Sequence, residues 1–299
     1  MGVQIRVMTF NLATGVDPAK CSWVDRKLAL HINEINERRP DIACFQEVDR
    51  RTGRSQGVDQ VEILKTRTHL KYDVFTGVSY DGGYYDDAIL SRWQPTSFNN
   101  RFIVDSSLPL PVPGYRHNVV HIPIPMATFR IYGIPIRIRS IHYPGDGVNV
   151  FGWDSPNTWH HQKAAMEGLL ISSWPFQLDT IIGGDFNAGP PDPSLAPLMQ
   201  HYRETQQTPR DPLIKTECFD PGLDYILHLG ENLTALSGDT YDGYRDGNWQ
   251  ARRQFSDHPV VIATFGVAPV IESRFRAISD GAPVAGASIG PVGPRWNGS

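Results

Sequence analysis

Cysteine is scarce in this chain: three residues in 299, Cys21, Cys44 and Cys218. The odd count excludes a fully paired disulfide framework, and no Cys-x-x-Cys spacing occurs. Cys44, inside Asp-Ile-Ala-Cys-Phe, is expected to be a small core residue rather than a nucleophile. Excess positive charge is lacking too. Lys and Arg number 28 against 32 Asp and Glu, a net charge of −4, and the pI is about 6.2. Nucleic acid is therefore not held by bulk charge, and an anionic substrate must be met by local Arg, His or metal. No apolar run is long enough to span a membrane. No segment repeats, and no Walker loop is present, which excludes nucleotide-driven work of that kind. A serine-nucleophile hydrolase is not expected. The N-terminus runs straight into a strand pattern without an apolar h-region. That leaves the compartment open: cytoplasmic, or secreted with a signal peptide removed. No obligate protein partner is evident.

What is present is a series of short β patterns with few helices between them. Val3–Phe10 alternates apolar and polar residues and predicts a first strand, closed by Asn11. Trp23, Leu28, Leu30, Ile32 and Ile35 recur at helical spacing until Pro40 stops the helix. Asp41–Glu47 reads as a buried strand, 59–70 as a short helix, Tyr72–Val78 as a strand, Tyr80–Tyr85 as a Gly-rich turn, and Ala88-Ile89-Leu90 as the start of another strand. Residues 115–142 hold two strand patterns, split near Pro123–Pro125. A helix is predicted from Pro156 to about Trp174, and the last strands are Leu223–Leu229 and Val260–Phe265. Arg137 and Arg139 share one face of their strand and are expected to lie on an exposed sheet surface. Many strands and few helices imply two packed sheets with helices on their outer faces. Residues 1–267 would form one catalytic domain. Residues 268–299, rich in Gly, Pro, Ala and Ser, would form a tail.

The most informative stretch is 178–190, Leu-Asp-Thr-Ile-Ile-Gly-Gly-Asp-Phe-Asn-Ala-Gly-Pro. Its apolar run suits a strand buried on both faces, and Gly183-Gly184 permit a sharp turn or a close approach. Asp185 and Asn187, spaced i, i+2, fall on one side of extended chain. Either they form an Asx turn or they place a proton acceptor beside an amide that can donate to a phosphate. Other strands also stop on polar residues: Asn11 after Met-Thr-Phe, Glu47 after Cys-Phe-Gln, His142 after Ser-Ile, Asp224 before Tyr-Ile-Leu, and Asp257-His258 before Pro-Val-Val. If those strand ends meet at one rim, they make a cleft. Asn, Glu and Asp are hard oxygen ligands suited to Mg²⁺ or Mn²⁺, and a His/Asp pair with a further Asp supplies what phosphoester hydrolysis needs.

In their order, Thr-Phe-Asn11-Leu, Phe-Gln-Glu47-Val-Asp, Ala-Ile-Leu-Ser-Arg92, Ile-His142-Tyr-Pro, Gly-Asp185-Phe-Asn187-Ala, Leu-Asp224-Tyr-Ile-Leu and Ser-Asp257-His258-Pro-Val resemble the endonuclease/exonuclease/phosphatase superfamily, over about residues 4–266. The resemblance implies the DNase I-like fold, a four-layered α/β sandwich. It also implies a Mg²⁺ (or Mn²⁺)-dependent phosphodiester hydrolase acting on nucleic acid or a lipid headgroup. Glu47 would be the principal metal ligand, with Asn11 and Asp257 nearby. Asp185 would activate the water and Asn187 would contact the scissile phosphate. His258 would stabilise the transition state, with Asp224 orienting it. His142 stands where DNase I-like nucleases and sphingomyelinases carry a second histidine. Arg50 and Arg92 are candidate substrate contacts. The chain departs from the family pattern at Asp86-Asp87, one of which is a candidate to face His142. The aromatics Phe151 and Trp153, after His142, are candidates to stack on a base or touch lipid. A nuclease leads, with a sphingomyelinase-like lipid enzyme, a small-molecule phosphatase and an inactive binding module as alternatives.

Overall fold

The computed structural model describes residues 3–13, 16–17, 22–23, 25–103, 122–143, 178–187, 195–205, 223–241, 256 and 258–268. The helix expected over 156–174, Phe151, Trp153, Asp257 and residues 269–299 lie outside these. Along the chain the strands are Val3–Asn11 (β1), Val16–Asp17 (β2), Ser22–Trp23 (β3), Ile42–Arg50 (β4), Tyr72–Tyr80 (β5), Gly83–Ser91 (β6), Ser97–Ile103 (β7), Ile122–Ile131 (β8), Ile134–His142 (β9), Asp179–Asp185 (β10), Arg203–Glu204 (β11), Asp224–Leu229 (β12), Leu233–Tyr241 (β13) and Val260–Val267 (β14). Asp25–Arg38 (α1), Gln60–Arg67 (α2) and Ala196–His201 (α3) are helical.

Two six-stranded sheets result, ordered β13-β14-β1-β4-β6-β5 and β11-β12-β10-β9-β8-β7. Each is mixed, with one central parallel pair, β1/β4 in the first and β9/β10 in the second. The period of two in each strand sorts side chains into layers. Ile5, Val7, Ile42, Cys44 and Ile89 of the first sheet meet Ile136, Ile138, Ile181 and Ile226 of the second in one core. On the other face of the first sheet, Met8, Phe10, Ala43, Phe45 and Leu90 pack under Leu28, Ile32 and Ile35 of α1 and Val61 and Leu64 of α2. Ile141, Ile182 and Leu227 pack with Leu198 of α3 on the far side of the second sheet. The fold is thus the four-layered α/β sandwich. Each fully buried Ile, Leu or Phe in these layers contributes about 1.5–3 kcal/mol. Cys44 is one of those core residues, and burial pushes its thiol pKa up, away from reactivity.

Two expectations are corrected. No split occurs at Pro123–Pro125, because β8 runs through both prolines. Its pairing with β9 begins only at Met126, so over the prolines β8 is bonded to β7 alone. A locally unpaired side is where a strand tolerates proline. The break comes instead at Tyr132-Gly133, both with positive φ (49° and 88°), as a two-residue hairpin turn requires. Arg137 and Arg139 are not on an open surface, since both side chains are buried. Of the two roles open to Gly183-Gly184, close approach is the one realised. A Cβ on Gly183 would meet Cys44 and Thr9 of the facing sheet at 3.1–3.2 Å, and one on Gly184 would lie 2.0 Å from the Ile141 carbonyl oxygen.

Candidate active site

The inner-face rows that build the core end in polar residues at one rim. On β1 the row Ile5, Val7, Thr9 ends in Asn11. On β9 the row Ile136, Ile138, Ser140 ends in His142, and on β10 Ile181 and Gly183 lead to Asp185. β12 runs antiparallel to β10, so its row begins at Asp224, directly opposite Asp185. Backbone bonds pin these ends together: Tyr143 N donates to Asp185 O (2.9 Å) and Phe186 N to Leu223 O (2.8 Å). The Phe186 ring anchors the segment edge-on between Tyr143 and Tyr225, with centroids 5.2 and 5.3 Å apart.

Asp185 is the hub. Its Oδ1 accepts from the Asn187 backbone N–H (2.8 Å) and its Oδ2 from Asn11 Nδ2 (3.1 Å). His258 Nε2 lies 3.5 Å and His142 Nε2 3.7 Å from that same Oδ2. His258 Nδ1 sits 2.9 Å from Asp224 Oδ2, so one carboxylate orients the ring towards another. Burial pushes the Asp224 carboxyl up to about 6, against the lowering effect of His258. Ser256 ties this segment to β1, its Oγ donating to Asn11 O (2.7 Å) and accepting from His258 N (3.0 Å).

Glu47 reaches the hub through an irregularity. Phe45 pairs with Ala88 and Val48 with Asp86, so Gln46 and Glu47 together oppose Asp87. This is a β-bulge, and it puts Glu47 at φ +56°, a strained conformation for a non-glycine residue. Its Oε1 then lies 3.3 Å from Asn11 Nδ2 and 4.0 Å from His142 Nε2. Beneath it, Gln46 donates to Ser140 Oγ (2.8 Å) and accepts from Thr9 Oγ1 (3.2 Å).

Asn11, Glu47, His142, Asp185, Asp224 and His258 are therefore gathered at one rim. Asn11 Oδ1 accepts from the Ala13 backbone N–H at 2.8 Å. A backbone N–H can only donate, so the amide orientation is fixed and its NH₂ bridges Glu47 and Asp185. Asn187 adjoins the hub, but its side-chain amide donates to the Tyr143 carbonyl. Asp257 lies outside the described residues.

The two arginines are not brought in. Arg92 pairs with Asp41 (2.9 Å) at the start of β4. That is about 20 Å along the strand from Glu47, at about 3.3 Å per residue. Arg50 lies on the helix side of its sheet. It holds both oxygens of Asp59, the α2 N-cap, at 2.9–3.1 Å and stacks 5.2 Å from the Phe75 centroid. Arg54, also in the loop after Glu47, is bound to buried Asp49 at 2.8–2.9 Å.

Sequence reasoning passed over one feature. Gly53-Arg54-Ser55-Gln56-Gly57 has the Gly-x-Ser-x-Gly spacing of serine hydrolases, as does 286–290, outside the described residues. Ser55 is buried and its hydroxyl is spent on the Thr52 and Val58 carbonyls (3.1 and 3.2 Å), so it is no nucleophile. Asp87 belongs to the Asp86-Asp87 pair, one of which was expected to face His142. It continues the Ile89 row on β6 to the rim, a signal that the period of two carries. One oxygen each of Asp86 and Asp87 and one His142 ring nitrogen all lie within 4.8 Å of one another, as do one ligand atom each of Asp185, Asp224 and His258. Either group has the make-up to hold a divalent metal. Burial first, and the neighbouring carboxylates after it, hold Asp87 well above the usual carboxylate range.

Comparison with known proteins agrees with this geometry. A family model described as the endonuclease/exonuclease/phosphatase family matches residues 8–258. No curated protein matches the chain. Among solved structures, a functionally unknown conserved protein from Enterococcus faecalis V583 is 16% identical, with 88% of this chain and all of that one covered and a TM-score of 0.64. The human Nocturnin catalytic domain with bound sulfate is 17% identical, covering 90% and 97%, with a TM-score of 0.60. A humanized D. rerio TDP2 is 14% identical, covering 88% and 99%, with a TM-score of 0.55. At such identities the likeness is one of fold. The family match, over most of the chain, is what identifies it: the chain belongs to the endonuclease/exonuclease/phosphatase family, whose members are phosphoester hydrolases.

Proposed function

We propose that this family member is a Mg²⁺-dependent phosphodiester hydrolase of the nuclease-like kind, with Asp185 as the base and Glu47 as the principal metal ligand. The observation that carries the reading is the single carboxylate oxygen, Asp185 Oδ2, set 3.1 Å from an amide donor and 3.5 and 3.7 Å from two imidazoles at the mouth of the sandwich. A half-buried Glu47 carboxylate beside it offers hard oxygen, which fits Mg²⁺. A bound Mg²⁺ would supply Lewis-acid polarisation of the phosphoryl group.

The chain's own residues do the rest. Asp185 takes a proton from water, whose oxygen forms a bond to phosphorus as the bond to the leaving oxygen breaks. The alcohol produced gains the balancing proton. His258, oriented through Nδ1 by Asp224, presents Nε2 to the charge that develops on the phosphoryl oxygens. Asn11 keeps Asp185 and Glu47 apart and aligned. The test is hydrolysis of bis-p-nitrophenyl phosphate against p-nitrophenyl phosphate, with Mg²⁺ and with EDTA. Diester turnover abolished by EDTA is expected. Turnover of the monoester alone would replace this reading with a phosphatase, and turnover that survives EDTA would remove the metal.

Asp224 sets an acid limit. Its carboxyl titrates at about 6 in the folded protein against 3.8 for the free group. The folded state thus holds that proton more tightly than the unfolded state. Lowering the pH from 6 towards 4 makes this group's contribution to stability more favourable, while it removes the charged partner of His258. Activity is expected to fall below about pH 6, with no parallel loss of Tm between pH 6 and 5. A Tm that falls in step with kcat/KM would attribute the acid limb to unfolding and take Asp224 out of the account.

A further inference from the structure

Asp87 is wholly buried, and neither of its carboxylate oxygens makes a well-formed hydrogen bond, although the Asp86 carboxyl and the Ser140 hydroxyl lie close enough to act on it. Buried carboxylates are paired, protonated or bound to metal. Among the described residues no Lys or Arg side chain pairs with it, and the Asp86 and Asp185 carboxylates act on it with like charge. Ser140, close enough to favour its charged form, directs its hydroxyl to the Phe45 carbonyl (3.3 Å) and accepts from Gln46 (2.8 Å). The neighbourhood adds to the imbalance. Among the described residues, Asp86, Asp87, Asp185, Asp224 and Glu47 crowd one rim with two histidines, His142 and His258, between them. A single divalent cation at Glu47 leaves most of that charge unanswered.

We propose that Asp86, Asp87 and His142 form a second divalent-cation site, separate from the Glu47 site and sharing a wall with it. One carboxylate oxygen of each aspartate and one His142 ring nitrogen lie within 4.8 Å of one another, a span a single ion can bridge. His142 Nε2 is 4.0 Å from Glu47 Oε1, which places the two sites side by side. The bulge that aims Glu47 at the rim sets Asp87 opposite it, so one backbone irregularity builds both sites. Two carboxylates with an imidazole favour a transition cation such as Mn²⁺ over Mg²⁺, because imidazole is a poor ligand for the harder ion. The Thr9–Gln46–Ser140 chain fixes the floor. The site is independent of the phosphodiesterase reading: it follows from Asp87, whatever substrate the rim serves.

The test counts ions rather than turnover. The full chain is titrated with Mn²⁺ alone, and free Mn²⁺ is read by electron paramagnetic resonance. Two bound Mn²⁺ are expected for the wild type and one for Asp87→Asn, the affinity at the lost site falling at least about 10–100-fold, the scale on which even an indirect partner of a metal acts. Asp86→Asn is the second variant, in case Asp87→Asn does not fold. Glu47→Gln should lose the other ion and keep this one. A wild type that binds one Mn²⁺, lost in Glu47→Gln and kept in Asp87→Asn, would overturn the second site and leave the phosphodiesterase reading standing. Two ions retained at unchanged affinity in both aspartate variants would overturn it as well, and would mean that Asp86 and Asp87 share a proton instead.

Discussion

Asp185→Asn is expected to lower turnover of a phosphodiester by about 10²–10⁴-fold, the range set by loss of a positioned general base. The change is nearly isosteric, so the structure indicates what survives it. Oδ1 still accepts from the Asn187 backbone N–H, and the Asx turn that ends β10 is kept. The other oxygen becomes an NH₂ facing the NH₂ of Asn11 across 3.1 Å. Two donors then face each other in a buried place, a mismatch of about 1–3 kcal/mol. A modest fall in Tm should accompany the loss of turnover, with unchanged circular dichroism. The decisive comparison is kcat at saturating Mg²⁺ for folded variant and wild type. A cooperatively folding Asp185→Asn protein with full turnover would end the assignment of the base.

Asp185 was legible because it obeys the plain rule of strands. Ile181, Gly183 and Asp185 are alternate residues on one face, and once Ile181 is assigned to the core, Asp185 must reach the same layer's rim. Asn11, His142 and Asp224 follow by the same count on their own strands. Glu47 was picked out as the polar end of its strand, but its geometry does not follow from the alternation. Ile42, Cys44 and Gln46 are the inner row of β4, which sends Glu47 to the helix side until the bulge turns it back. Bulges leave almost no mark in sequence when the residue in the left-handed region is not glycine. Arg92 misled for a related reason. It follows an apolar strand, as the functional residues do, but β6 runs antiparallel to β4, so the end of β6 lies at the start of β4. Sequence shows where a strand stops; pairing direction decides which rim that is.

Within the two six-stranded sheets, the strands that were not anticipated, β7, β11 and β13, share a position. Each is at an edge of its sheet or, in β11, only two residues long as well. Edge strands are half-solvated and carry polar residues such as Asn99, Asn100 and Arg101, which dilutes the alternation that reveals central strands. The buried Arg137 and Arg139 show the converse. Charge at alternate positions predicts a solvated face, and only tertiary cover reverses it.

Glu47→Gln is expected to separate function from stability with opposite signs. The variant keeps an oxygen for Asn11 Nδ2, which sits 3.3 Å from Oε1 in the wild type. It keeps the bulge, because Gln tolerates φ +56° no worse than Glu does. What it loses is one negative charge from a rim with five carboxylates. Two such charges about 4 Å apart repel by roughly 1–4 kcal/mol across effective dielectric constants from water-like to about 20. In the absence of metal, therefore, Tm should stay level or rise. The Mg²⁺ concentration for half-maximal turnover should meanwhile rise by at least about 10–100-fold, the scale that applies even to partners one step removed from a metal. A structural role alone would lower Tm and leave the Mg²⁺ requirement where it was. An unchanged Mg²⁺ dependence with unchanged turnover would remove Glu47 from the metal site. The expected pairing of weaker metal use with a more stable metal-free protein is the signature of a residue held at the rim for the cation, against the preference of the fold.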